Sequence, residues 1–155
     1  MPRLHVSAER TVSAPAEAVY ALLADYRIGH PSILPPAFSG LKVLQGGTGA
    51  GTEIRFALRL AGRNQQIEAR VDEPEPGRVL SEAHPHKSAV TRFIVDPVRD
   101  QSRVRIETSW EPSRGLAGLI ERLVAPRLFR KLYGEELDLI ERWAIDRVSR
   151  GARGN

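Results

Sequence analysis

The chain has 155 residues, no cysteine, a formal net charge of +4 and a pI of about 9.9. This length corresponds to one domain, which can bury a core without disulfides or a structural metal. The lack of cysteine excludes a disulfide framework, a thiolate zinc site, an iron–sulfur cluster and a cysteine nucleophile. We expect no nucleic-acid partner, because the basic residues are dispersed arginines and not a clustered stripe with stacking aromatics.

The first part of the chain predicts a strand and then a short helix. Residues 4–12 alternate between apolar and polar side chains, which is typical of a half-buried strand. Pro15 stands where a first helical residue is favoured, and the apolar residues that follow recur at helical spacing, which predicts a helix over 15–25. Three prolines within 31–36 allow at most one further helical turn.

From Gly40 to Trp110 the sequence indicates only strands and turns. The connections are too short for parallel crossovers, so the strands must form an antiparallel meander. The run Gly46–Gly51 joins two strands, opens no helix and has no following lysine, so it predicts a glycine-rich turn rather than a phosphate loop. The strands are predicted at 41–43, 54–60, 67–71, 79–83, 90–95 and 104–110.

After Ser113 the apolar residues change to a period of 3.6, which predicts one long amphipathic helix to about residue 149. Pro126 is expected to kink this helix or split it in two. We therefore predict an α+β fold: a curved seven-stranded antiparallel sheet wrapped around a long C-terminal helix, with short helices between strands 1 and 2. Residues 1–149 are predicted to form a single domain, and 150–155 a flexible tail.

Several segments resemble a known family. The run VSAPAEAVYALLADY at 12–26 resembles the first helix of the START-like, helix-grip (SRPBCC) superfamily, in its polyketide cyclase/dehydrase-like branch. The resemblance continues through 30–35, 49–52, 73–80 and 125–128. It implies an apolar cavity between sheet and C-terminal helix that binds a hydrophobic small molecule, such as a lipid, polyketide or aromatic metabolite, as a carrier or sensor.

The resemblance and the apolar pattern together predict the cavity lining. Phe38 and Trp110 are the preferred aromatic walls. The same residues could also form an ordinary packed core if the sheet does not curve away from the helix. The predicted ligand-binding residues are Tyr26, His30, Phe38, Phe56, Leu58, Ile67, Phe93, Trp110, Leu119, Leu123 and Leu128.

An alternative function is a polyketide cyclase/dehydratase-like enzyme, with Tyr26, His30 and Glu82 as candidate acid/base groups. This alternative needs a buried ionisable group with a perturbed pKa, whereas a pure binding protein is expected to have titratable groups only at the cavity mouth. His84 and three strand residues are further candidates. Alternation along the strands places these three on the solvent side: Arg59, Arg92 and Glu107.

The pair His84 and His86 is the nearest approach to a metal motif, but Pro85 disrupts the strand between them and no third ligand is apparent, although His30, Glu82 or Glu107 could converge in space. We expect no metal and no cofactor.

A further alternative is a protein-interaction module that uses the basic helix face of Arg127, Arg130 and Lys131 on an acidic partner or a membrane surface. The sequence contains no apolar stretch of ~20 residues and no signal-like N-terminus, so we expect a cytoplasmic protein without stable membrane insertion. The resemblance makes a homodimer, paired through a sheet edge or the helix, one expected state beside the monomer.

Overall fold

The computed structural model describes residues 2–86 and 88–153. Seven strands and three helices follow one another as the sequence predicts, with both short helices between the first two strands. In chain order they are β1 (Leu4–Val12), α1 (Ala16–Ala24), α2 (Gly29–Ser32), β2 (Phe38–Gln45), β3 (Glu53–Leu60), β4 (Arg63–Glu75), β5 (Val79–Ala83), β6 (Val90–Val98), β7 (Gln101–Trp110) and α3 (Gly115–Arg153).

All strands belong to one antiparallel sheet in the order β1-β7-β6-β5-β4-β3-β2. Each strand from β2 to β6 pairs with the next one along the chain, and β1 forms the other edge of the sheet by pairing with β7. The short turns between β2 and β7 require antiparallel pairing of consecutive strands. The predicted α+β helix-grip fold, a curved open sheet with a long C-terminal helix, is confirmed.

The core lies between the inward side chains of the sheet and the second half of α3. There, α3 contributes a stripe of buried residues at helical spacing, including Leu137, Ile140 and Ala144. Glu141 also holds this half of α3 in place. Its carboxylate accepts two hydrogen bonds from Ser13, one from the backbone N–H at 2.8 Å and one from the side-chain hydroxyl at 2.5 Å. The C-terminal half of the helix is therefore fixed against the sheet by both apolar and polar contacts.

The last helix is longer than predicted. It is not split at Pro126 but runs unbroken through this residue, with 39 residues in all, because proline removes only one donor from a long ladder of hydrogen bonds. The alternative expectation, a kink at Pro126, stays a prediction. The helix ends at Arg153, four residues beyond the predicted end at about residue 149. The flexible tail over 150–155 stays a prediction. Gly154 and Asn155 lie outside the described residues.

The glycine-rich turn between β2 and β3 holds the end of α1. Tyr26 donates its backbone N–H to the carbonyl of Gly47 at 2.9 Å, and Gly49 donates to the carbonyl of Ala24 at 2.9 Å. At Gly47 the backbone has a φ of 149° and passes so close to Arg27 that a Cβ would lie 2.4 Å from the guanidinium Nε. This turn therefore positions the segment that carries Tyr26 and His30.

Candidate functional site

A cavity of about 870 Å³ lies between the sheet and α3. Its wall is mostly apolar and comes from strands β2 to β7, from α2 and from the part of α3 between Ala117 and Glu136. The lining residues near the start of α3, such as Ala117 and Ile120, are exposed and mark the mouth. Those at the opposite end are buried, and several of them are polar. We call this buried polar end the floor: His30, Glu82, Thr91, Thr108, Tyr133 and Glu136.

Most of the predicted lining residues lie on the cavity wall, including both proposed aromatic walls, which are Phe38 and Trp110. The rings of Phe38 and Phe56 lie 5.5 Å apart, and that of Trp110 lies 5.3 Å from Phe129. The other predicted residues that the structure places on the wall are His30, Leu58, Ile67, Phe93 and Leu128.

Three predicted lining residues do not reach the cavity. Leu119 and Leu123 lie on the outer side of α3, with 56% and 67% of their surface exposed. The helix turns Ile120 and Val124 toward the mouth in their place. Tyr26 is completely buried and does not line the cavity, because its ring stacks on His30 and its hydroxyl is directed toward Glu82.

A polar row crosses three adjacent strands at the floor. Glu82 on β5 is in register with Thr91 on β6, and Thr91 is in register with Thr108 on β7. The two threonine hydroxyls are 2.8 Å apart, and that of Thr108 shares a further hydrogen bond with the hydroxyl of Tyr133 on α3. This chain of hydroxyls connects the sheet to the helix and satisfies polar groups that would otherwise be buried without partners.

Glu82 is the centre of a second buried cluster. Tyr26 donates its hydroxyl to Oε1 of Glu82 at 2.7 Å, and Nε2 of His30 lies 3.7 Å from the same oxygen. The Tyr26 and His30 rings stack at 4.6 Å, and Phe93 packs edge-on against His30. Burial, together with the charge of Glu82, raises the pKa of Tyr26 well above its ordinary value. Tyr26 therefore acts as a hydrogen-bond donor that positions Glu82.

The orientation of His30 is fixed by the backbone around it. Its Nδ1 lies 2.8 Å from the carbonyl oxygen of Leu23, and because a carbonyl only accepts, Nδ1 carries a proton. The turn before it is organised by Asp25, whose carboxylate accepts the backbone N–H groups of residues 27–29. Gly29 passes so near the carbonyl of Leu22 that a Cβ would lie 2.4 Å from the oxygen. Nε2 of His30 is thereby directed toward Glu82 and the cavity.

Glu136 on α3 lies at the floor of the cavity as a buried carboxyl group with one oxygen left without a hydrogen-bond partner in the part of the chain that the structure describes. It is 2% exposed, and its Oε1 has no hydrogen-bond partner among the described residues. Burial raises the pKa of Glu136 well above its ordinary value, and the charge of Glu82 raises it further. The cavity thus ends in a carboxyl group that holds its proton more tightly than usual and has an oxygen available to a ligand.

The sequence-based candidates did not include Thr91, Thr108, Tyr133 or Glu136. A signal was present in the sequence: Glu136 follows Leu132 by four residues and precedes Ile140 by four, so it interrupts the apolar stripe of the helix. Thr91 and Thr108 likewise have the parity of the inward apolar residues on their strands. A polar residue at an inward position is the pattern to look for.

The remaining candidates lie apart from the floor. Arg59 and Arg92 are exposed on the outer face, and Glu107 pairs there with Arg105 at 2.8 Å. His84 reaches the cavity wall, with its Nδ1 3.3 Å from the carbonyl of Glu68, whereas the side chain of His86 is 83% exposed. Within residues 2–86 and 88–153 no three histidine, aspartate or glutamate side chains converge as a metal site. No helix in the same ranges is long and apolar enough to cross a membrane.

Residues 3–143 match the model of a family described as polyketide cyclase / dehydrase and lipid transport. The solution structure of the KanY protein is similar, with a TM-score of 0.81 and 29% identity, over 93% of this chain and 99% of that one. The Zhui aromatase/cyclase from Streptomyces sp. R1128 gives a TM-score of 0.77 at 21% identity, over 95% of this chain and 96% of that one. A START superfamily protein from Mycobacterium smegmatis gives 0.72 at 16% identity, over 92% and 97%. No curated protein sequence matches the chain.

Proposed function

We propose that this chain, which belongs to the polyketide cyclase/dehydrase and lipid transport family, binds a hydrophobic small molecule in the cavity between its sheet and α3. The cavity of about 870 Å³ falls within the usual size of small-molecule sites, and its wall is mainly aliphatic and aromatic. Removing an apolar ligand from water supplies the affinity. A lipid, a polyketide or an aromatic metabolite fits this description, with the protein as carrier or sensor.

The observation that carries the proposal is the unpartnered Oε1 of Glu136 at the buried end of an apolar cavity. A buried polar atom without a partner costs about 1–3 kcal/mol, and a ligand hydroxyl or amine at the floor would remove that cost. The tight hold of Glu136 on its proton also provides an O–H donor for a ligand carbonyl. The ligand is thus an apolar molecule with at least one polar group, bound with that group inward.

Filling the cavity is expected to abolish ligand binding without unfolding the protein. Leu58 lies on the wall with 6% exposure, and its neighbour Arg59 is exposed on the other face of β3. Leu58→Trp should project an indole into the space that the ligand occupies, whereas Arg59→Trp adds the same ring outside. We would purify all three proteins gently from one host, record native mass spectra, and titrate each with the apolar dye ANS.

We expect a co-purified mass or a dye signal with wild type and Arg59→Trp, and a loss of at least tenfold in dye affinity with Leu58→Trp. Circular dichroism would establish that both variants are folded. If wild type carries no ligand and binds no dye, or if Leu58→Trp binds as well as wild type, the proposed cavity function is wrong.

A second candidate is acid/base catalysis on the bound molecule, in the manner of a polyketide cyclase or dehydratase. The observation that favours it is the position of the titratable groups. A pure binding protein was expected to have them only at the mouth, but Glu82, His30 and Glu136 are buried on the wall. A carboxyl group with a raised pKa beside a carboxylate can donate a proton while its neighbour accepts one. One of the similar structures is an aromatase/cyclase by name.

Catalysis is expected to appear as a change in the ligand itself. The molecule released from wild type would be incubated with catalytic amounts of protein and followed by mass spectrometry for loss of water or isomerisation. Glu136→Gln and Glu82→Gln should each slow turnover by roughly a hundredfold or more, the usual contribution of a general acid or base. His86→Gln, which changes an exposed imidazole, should leave the rate unchanged. Unaltered turnover in both glutamate variants would contradict acid/base catalysis at the floor.

A further inference from the structure

We propose that the first turns of α3 dock on an anionic membrane surface, which places the cavity mouth against the lipid. Two adjacent groups on the helix support this. The apolar ridge consists of Leu116, Leu119, Ile120, Leu123 and Val124. The basic turn consists of Arg127, Arg130 and Lys131. The inference rests on the outer surface of the helix and does not depend on which ligand the cavity holds.

The apolar ridge is exposed although it consists only of large aliphatic side chains. The exposed fractions are 73% for Leu116, 56% for Leu119, 54% for Ile120, 67% for Leu123 and 44% for Val124. A helix in a globular protein normally buries such a stripe, and a contiguous exposed one marks a binding surface. The second half of α3 buries its stripe and leaves two large aliphatic side chains more than half exposed, Ile145 and Val148. The contiguous exposed stripe of five residues therefore lies in the first turns.

The basic turn continues the same face of the helix. Arg127 follows Leu123 by four residues and Leu116 by eleven, and Arg130 and Lys131 follow Arg127 by three and four, which is the spacing of one helical face. All three side chains are exposed. An aliphatic face that is followed by lysine and arginine is typical of helices that lie in the interface of anionic membranes.

The positive charge of this part of α3 favours an anionic membrane as its partner over a second copy of this chain. Between Gly115 and Gly134 the only acidic residue is Glu121. Its carboxylate is engaged, because Oε1 accepts the indole N–H of Trp110 at 2.8 Å and Oε2 accepts the backbone N–H of Ser113 at 2.8 Å. A second copy of this helix would therefore present a like-charged face, whereas lipid phosphates are complementary to it.

The ridge also borders the mouth of the cavity. Ile120 and Val124 are exposed and line the cavity, so one side of each faces outward and the other faces the interior. When the ridge is immersed in the headgroup region, an apolar molecule can pass between bilayer and cavity with little exposure to water. Docking of this kind is interfacial and needs no spanning helix.

The test is co-sedimentation with two vesicle preparations, phosphatidylcholine alone and an equal mixture of phosphatidylcholine and phosphatidylglycerol. Wild type is expected to bind the anionic vesicles and to be released by salt. Leu119→Ser with Leu123→Ser should weaken binding at least tenfold, because both side chains are exposed and lie outside the cavity wall. Replacing the basic turn with alanines should weaken binding by roughly a hundredfold and remove the salt dependence.

The matched control is Ile145→Ser with Val148→Ser, two apolar residues that are 52% and 59% exposed near the other end of the same helix. This variant should bind as wild type does. The proposal is overturned if wild type ignores anionic vesicles, if it binds both vesicle types equally, or if the control loses binding as much as the ridge variant. It is also overturned if sedimentation equilibrium finds a dimer that the ridge variant dissociates, because a second copy then covers the ridge. Dye binding by the same proteins reports separately on the cavity.

Discussion

Replacing Glu136 with glutamine is expected to make the protein more stable than wild type at neutral pH. In the folded state, burial raises the pKa of Glu136 above the ordinary 4.5 that applies to the unfolded chain, and the negative charge of Glu82 raises it further. Between these two pKa values the folded protein holds a proton that the unfolded chain has released. The free energy of unfolding therefore decreases as the pH rises, by about 1.4 kcal/mol for each pH unit.

Glutamine resembles the protonated acid in size and carries no proton to lose. The stabilising contribution of the neutral acid is fully present below pH 4.5 and is lost as the pH rises toward the folded pKa, so the advantage of Glu136→Gln should grow over that same window. Urea unfolding at a series of pH values from mildly acidic to mildly alkaline measures it directly. All other titrating groups are shared, so the difference between the two proteins isolates Glu136.

Glu135→Gln is the matched control, because this neighbour on the same helix is exposed. It should leave the free energy of unfolding unchanged at every pH. A difference between Glu136→Gln and wild type that does not vary with pH would mean that Glu136 titrates alike in the folded and unfolded states. A variant that is less stable than wild type at neutral pH would contradict the buried, protonated state of this residue.

Tyr26→Phe is expected to destabilise the protein by about 2–3 kcal/mol, because it removes the hydrogen bond to a buried carboxylate. The hydroxyl of Tyr26 lies 2.7 Å from Oε1 of Glu82, and both residues are buried. The ring itself is retained, so its stacking on His30 and its packing in the core should persist. Chemical denaturation at neutral pH measures the change in the free energy of unfolding.

A double-mutant cycle with Glu82→Gln separates the hydrogen bond from the packing. In the glutamine background the tyrosine hydroxyl has a neutral partner, so Tyr26→Phe should cost less, with a coupling energy of roughly 1–2 kcal/mol. Tyr20→Phe is the control, because the hydroxyl of Tyr20 lies 3.4 Å from the carbonyl of Val79 and the carboxylate near it, that of Glu73, is not buried. This variant should cost below about 1 kcal/mol. Additive effects of Tyr26→Phe and Glu82→Gln would show that Tyr26 does not position this carboxylate.

The strands and their inward faces were predictable, and the helix face was not. Along β7 every second residue from Ser102 to Trp110 is buried, as alternation requires, so Trp110 and the residues before it could be placed from sequence. The first turns of α3 carry aliphatic residues on more than one side. Periodicity therefore could not decide whether Leu119 and Leu123 or Ile120 and Val124 point inward. That choice depends on the rotation of the helix, which the buried stripe of its second half sets.

The floor shows the same division. His30 and Glu82 could be identified as candidates from residue type, and both line the cavity. The roles of these two residues could not be predicted, because their partners lie far away in the chain. Glu82 accepts a hydrogen bond from Tyr26, and its charge raises the pKa of Glu136. Such pairs form only when three separate elements pack together. Sequence patterns report on contacts within one element and are silent about contacts between elements.

The element order, the antiparallel meander, the apolar faces and the absence of cysteine chemistry follow from local periodicity, turn length or composition, so the sequence alone is enough to predict them. The cavity of about 870 Å³ between the sheet and the helix is a property of the folded chain. The same holds for the buried acidic groups at one end of the cavity and for the uncovered first turns of α3. These features depend on sheet curvature and on the rotation of one long helix, which are set by the packing of the whole chain.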